Sequence, residues 1–179
     1  MSVSQEAPEA GPRVRSTGPV ADVVVVLVCY LVLGVVCGVI WWLLVDPALF
    51  TKVHGGGTMS ELQLSKEFNG DGWYAVVAAV AGVGSGLALT WWRSRDYLLT
   101  TLLLVPGSVL AAAVMAMLGH ALGPGNPDAA LATVHAGQHV PDQISVAAWA
   151  TYLVWPIGAL IGALGVLWSS SRGSERAGE

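Results

Sequence analysis

The side chains in this sequence best suited to chemistry are four histidines, His54, His120, His135 and His139, with two acids, Asp128 and Asp142, close in sequence to two of them. His135 and His139 stand four residues apart, the spacing that puts two imidazoles on one helical face for a metal, and Asp142 could add an oxygen ligand. The neighbouring residues argue against that geometry. Gly137 lies between the two histidines and Val140-Pro141 follows at once, so a helix here stops before His139. We therefore assign no metal ligand and no cofactor, keeping His135, His139 and Asp142 as the residues a metal would have to use. His135 also reads as a cation-capable residue in a helix's last turn, and His120, after Gly119, as an interfacial side chain. Asp71, in Asn69-Gly70-Asp71-Gly72, reads as the N-cap of the helix that follows, its carboxylate taking the first free amides. A cation site shared with Glu67 is the rival use. No nucleophile elbow, phosphate-cradling glycine loop, paired-cysteine motif or zincin helix occurs. No catalytic residue is assigned, and an enzyme would have to draw on His120, His135, Asp128 and Asp142.

These residues sit in polar stretches between long apolar runs. Val23 to Val45 carries no charge, and at about 1.5 Å per residue it exceeds the ~30 Å of a bilayer's hydrocarbon. Comparable runs lie between Asp71 and Arg93, after Asp96, and from Val146 to Trp168. Apolar residues make up 54% of the chain and charged ones 11%, against roughly 25% charged in an ordinary soluble domain. The sequence predicts an all-α membrane protein, a four-transmembrane-helix bundle with helices at about 20–45, 72–92, 97–120 and 145–168. Disordered tails are expected at 1–19 and 169–179, where composition cannot support a core. The first run is too long for a secretory signal core and ends in Trp41-Trp42, so it reads as a retained anchor.

Basic residues set the orientation. Arg13 and Arg15 precede the first run, Arg93 and Arg95 link the second to the third, and Arg172 and Arg176 follow the fourth, while only Lys52 and Lys66 lie on the other side. That asymmetry places both termini in the cytoplasm and two longer loops outside the plasma membrane. Trp41, Trp42, Trp73 and Trp149 at the outer boundary, with Trp91, Trp92 and Trp168 at the inner one, match an interfacial belt. The bilayer is then the first partner. Net charge is −4 with no basic stripe, which gives nucleic acid no footing. Cys29 and Cys37, roughly 12 Å apart on one helix, cannot pair.

In loop one, the stretch from Leu49 to His54, a turn at Gly55-Gly56-Gly57 and a return through Glu61-Leu62-Gln63-Leu64 predict a β-hairpin. The rival is a capping box at Ser60-Glu61-Leu62-Gln63 opening a short helix. In loop two, Asn126-Pro127-Asp128 reads as a cap and first turn, predicting a helix over 127–136 closed by Gly137. Glycines spaced by four, Gly34/Gly38, Gly82/Gly86 and Gly158/Gly162, mark close helix contacts, either within one bundle or between copies or with a membrane partner. Pro106 and Pro156 are expected to interrupt the third and fourth helices.

Asp71-Gly72-Trp73, the run Ala81 to Gly86, the Arg93/Arg95 turn and Trp155-Pro156 together resemble a family of small actinobacterial membrane proteins known as a domain of unknown function. The resemblance covers roughly residues 20 to 168 and implies the four-helix architecture, with no catalytic or binding residue to carry over. The leading expectation is a non-enzymatic accessory or scaffold component of the cell envelope. An oligomeric channel or transporter component is the alternative, since the polar groups within the spans are hydroxyls such as Ser85, Thr100, Thr101, Ser108 and Thr151. A membrane enzyme or metal sensor using the outer His and Asp residues is the second alternative.

Overall fold

In the computed structural model, residues 19–92 and 97–176 are described. Residues 1–18 of the expected 1–19 tail, residues 177–179 of the expected 169–179 tail and the Arg93/Arg95 turn lie outside the described residues. Along the chain run α1 (Pro19–Leu44), β1 (Leu49–Val53), β2 (Gly56–Thr58), α2 (Glu61–Trp92), α3 (Tyr97–Leu122), α4 (Pro127–Thr133), β3 (His139–Pro141), a 3-10 turn at Trp149–Leu153 and α5 (Val154–Arg176). Four helical stretches are long and apolar enough to cross a membrane, and they fall in α1, α2, α3 and from the 3-10 turn through α5.

The four long helices associate as two tight pairs. In the pair of α2 and α5, glycine lies against glycine. A Cβ on Gly82 would come 2.6 Å from the Trp155 carbonyl, and one on Gly158 would meet Ala79 O and Val83 N at 3.2 Å. Gly86 and Gly162 press still closer, on the backbones of Ala159 and Val83. The α1–α3 pair is built differently. Gly34 and Gly38 do meet α3 at Ala111 and Met115, but two aromatic rings of α1 also rest on glycines of α3, Tyr30 on Gly107 and Trp41 on Gly119. All three glycine pairs in the sequence thus meet the chain's own helices. Close approach is what a glycine groove provides where lipid supplies no hydrophobic drive between helices.

Large aromatics fill the seam between the pairs. Trp41, Tyr30, Tyr74 and Trp155 are fully buried. Trp41 and Tyr74 meet edge to face, centroids 5.2 Å apart and planes at 86°, an arrangement the ring quadrupoles favour. The Trp41 indole donates to the Gly70 carbonyl at 3.0 Å and the Tyr74 hydroxyl to the Ala112 carbonyl at 2.7 Å. This corrects the reading of Trp41 as a belt residue: its ring is a core strut tying α1 to α2. Trp91, Trp92, Trp149 and Trp168 stand well exposed, as belt residues would.

Two helix boundaries also differ from expectation. α2 does not begin after Asp71 but at Glu61, and at 32 residues it is about 48 Å long, well beyond the hydrocarbon thickness. The fourth span opens late: residues 142–148 have no regular secondary structure, the 3-10 turn follows, and Pro156 is the third residue of α5. Because the 3-10 turn runs straight into α5, Pro156 sits just past the 3-10-to-α junction, and with no amide to donate it leaves the Tyr152 carbonyl without that bond. Pro106 does lie inside α3. At the far end α5 continues to Arg176.

Candidate functional site: the cap at one end of the bundle

Both long loops lie at the end of the bundle where α1 stops, and they fold into one cap. β1 and β2 form the expected hairpin, but with a tighter turn: Val53 pairs with Gly56, leaving His54-Gly55 as the loop, with Gly55 at φ +94°. Glycine reaches that conformation without the Cβ clash other residues suffer. Gly57 lies in the strand, where a Cβ would press at 2.8 Å on Leu131 of α4. The return strand ends at Thr58, and Glu61 to Leu64 is helical. Of the capping box only half forms: the Gln63 amide donates to Ser60 Oγ at 3.4 Å, the Gln63 side chain turns to Leu49 instead of back to Ser60, and the helix opened there is α2 rather than a short separate one.

The third strand comes from loop two. β3 pairs antiparallel with β1, Phe50 opposite Val140 and Thr51 opposite His139, giving a sheet ordered β2-β1-β3. Flanking bonds extend the junction: the Lys52 amide donates to Gln138 O and the Gly137 amide to Lys52 O, each at 2.9 Å, and the Asp142 amide to Ala48 O at 2.7 Å. α4 forms where Asn126-Pro127 predicts it, with Asn126 Oδ1 accepting from the Asp128 amide at 2.8 Å. It ends at Thr133 rather than near 136, and Gly137, at φ +87°, turns the chain into β3 instead of capping the helix.

These positions settle the geometry of the histidine constellation. His135 lies beyond the end of α4, its amide donating to Gln138 Oε1 at 2.8 Å, and His139 is in β3 with Nδ1 at 3.1 Å from Thr51 Oγ1. The two do not share a helical face. Asp142 follows β3, and its Oδ1 accepts from the Gln143 amide at 2.7 Å. Asp128 is in the first turn of α4 and His54 at the hairpin tip. Among the described residues no group of three or more His, Cys, Asp or Glu side chains is placed to hold a metal ion.

His120 and Asp71 acquire definite roles as pins between cap and bundle. His120 Nδ1 lies 3.0 Å from the Ile144 carbonyl, and Nε2 3.1 Å from the Gln143 side-chain amide. A carbonyl only accepts, so Nδ1 carries the proton and Nε2 accepts from Gln143. Asp71 is not an N-cap, since α2 begins ten residues earlier. Its two carboxylate oxygens instead accept the amides of Ala147 and Ala148, each at 3.0 Å. That carboxylate holds the irregular segment 145–148 against α2 and supplies acceptors for two amides a helix would otherwise have bonded. Elsewhere, Leu49's amide donates to Gln63 Oε1 at 3.0 Å, and Lys66 pairs with Asp46 at 2.6 Å. The Asp46 side chain is 73% exposed, so that ion pair contributes at most about 1 kcal/mol.

The cap is therefore a platform pinned to the bundle by Asp71 and His120 and held together by the β1–β3 pairing. Chemistry is scarce below it. Between Val23 and Leu44, Gly72 and Trp92, Thr100 and Gly119, and Trp149 and Ser170 the sequence has no acid, base or histidine. Three buried polar atoms there, Tyr30 Oη, Thr90 Oγ1 and Trp155 Nε1, have no hydrogen-bond partner among the described residues. No family model, curated protein or solved structure matches the chain.

Proposed function

We propose that this chain is a plasma-membrane protein with both termini in the cytoplasm and the cap outside, acting as a non-enzymatic accessory or scaffold component of the cell envelope. Kinship with the actinobacterial family its motifs resemble belongs to the same reading. The observation that carries it is the cap, where two loops separated by two spans join in one sheet, bolted to the bundle by Asp71 and His120. Ordering of this kind costs about 1–2 kcal/mol of backbone entropy per residue, and a loop that only connects helices needs none of it. A pinned surface suits recognition of another envelope component. Six of the eight basic residues fall in sequence before the first apolar run, between the second and third, or after the fourth, which supports the orientation, and the charge-free spans argue against a path for ions through a single bundle.

Copurification in mild detergent tests the proposal. A partner recovered in fixed stoichiometry, and lost when the exposed hairpin is changed by Val53→Glu and His54→Glu, is the expected result. A protein that copurifies with nothing yet conducts ions or solute in reconstituted vesicles would contradict the scaffold reading and favour the oligomeric channel. In that case the unpartnered hydroxyls of Tyr30 and Thr90 would be the first residues to replace.

A further inference from the structure

The late start of the fourth span leaves a groove in the side of the bundle. α3 continues as a helix to Leu122, while its neighbour has no regular structure over 145–148 and only then begins to coil. One wall of the groove is Ala113, Ala116 and Met117 of α3, and the other is Val146 and Tyr152. His120 and Ser145 close the end under the cap, and the open groove has a volume of about 290 Å³. Ala113 lies seven residues from His120, about 10 Å deeper along the helix axis, within the charge-free part of α3. Met117 is 71% exposed, so this side of α3 faces outward rather than into the bundle. The groove is thus apolar at depth, polar at the membrane surface, and open sideways.

A second observation concerns the rim. In the segment that forms it, the amides of Asp142, Gln143, Ala147 and Ala148 all have acceptors. Those of Ile144, Ser145 and Val146 have none among the described residues, and the last two line the groove. His120 cannot serve as an anion ligand, because both ring nitrogens are engaged. The available donors are backbone N–H groups at the depth where lipid ester and phosphate oxygens lie.

We propose that the groove binds one phospholipid of the leaflet on the capped side. An acyl chain lies between Met117 and Val146, and headgroup or ester oxygens accept from the amides of Ser145 and Val146. A transmembrane helix of a second copy is the poorer occupant, since its backbone carbonyls are bonded within the helix and offer no acceptor to the amides of Ser145 and Val146. This inference rests on the membrane reading above.

Native mass spectrometry of protein released from nanodiscs of phosphatidylglycerol and phosphatidylethanolamine provides the test. Wild type should retain one phospholipid per chain, and so should Val80→Leu, a change on the outward face of α2. Ala113→Leu and Met117→Trp, which fill the groove, should lower that occupancy about tenfold without changing the oligomeric state. A phospholipid carrying a photoreactive acyl chain should label residues 112–118 and 145–152 of the wild-type protein, a readout that needs no variant to fold. Equal retention by the filled variants, labelling spread evenly over the outward faces of α2 and α5, or an altered oligomer in place of lost lipid would each overturn the proposal. Should alkaline carbonate strip the protein from membranes, the membrane reading itself fails. Should it stay embedded but retain no lipid, only this inference falls.

Discussion

The two helix pairs use glycine for opposite purposes. Between α2 and α5, glycine faces glycine and backbone lies on backbone, so nothing on either side can yield. Between α1 and α3, Gly107 and Gly119 form seats for Tyr30 and Trp41, and the Trp41 ring carries its donor onward to α2. The first arrangement locks one pair shut. The second joins one pair to the other, since a ring with its face on a glycine is free to present its polar tip across the seam. Four-residue glycine spacing marks the first kind and overlooks the second, because Gly107 and Gly119 are twelve residues apart with their partners on another helix.

Substitutions should separate the two uses sharply. The largest effect is expected for Gly86→Leu, where the new side chain would meet the Ala159 backbone. Overpacking in a core costs roughly 1–3 kcal/mol when neighbours can move, and here the neighbour is main chain, so thermal unfolding in detergent should show no stable bundle. Gly84→Leu, two residues away with open space at its Cβ, should leave the melting temperature unchanged. Equal damage from both would mean that helix propensity, not contact, governs α2. Gly119→Ala should cost about 1–3 kcal/mol, because the Trp41 ring is in the way yet can shift. The same variant should alter indole fluorescence, which Gly86→Leu reaches only by unfolding the protein.

Smaller effects belong to the polar struts. Asp71→Ala strands the amides of Ala147 and Ala148, at about 1–2 kcal/mol for a partly exposed pair. Hydrogen exchange should rise at 145–148 while α2 and α5 stay protected, and uniform loss of protection would show that the carboxylate supports the whole bundle. Tyr74→Phe removes one hydrogen bond to a carbonyl already within a helix, so about 0.5–1.5 kcal/mol is expected, with no change in Trp41 packing.

How far the sequence could be read follows from the range of each contact. The four apolar runs, the Asn126 cap and the glycine rows are local patterns, and they appear where expected. The start of α2 was hidden by Asn69-Gly70-Asp71-Gly72, which reads as a helix N-cap. Interior glycine costs only about 1 kcal/mol relative to alanine, and the Trp41 bond to Gly70 O and the Asp71 clamp act in the other direction. Both depend on partners 29 and 76 residues away in sequence, beyond any local pattern. The pairing of β3 with β1 is of the same kind, and it draws His139 into a strand and away from His135. In the candidate site the histidines and acids were visible as residue types, while their roles as pins depended on neighbours supplied by the other loop.

The proposed topology puts the cap outside the membrane and both termini in the cytoplasm, and cysteine accessibility in intact cells tests it most directly. In a background lacking Cys29 and Cys37, Thr58→Cys at the end of the hairpin should react with an impermeant thiol reagent. Ser2→Cys and Ser174→Cys should react only after the cells are opened. Labelling of Ser174→Cys in intact cells, with Thr58→Cys protected until lysis, would contradict the account.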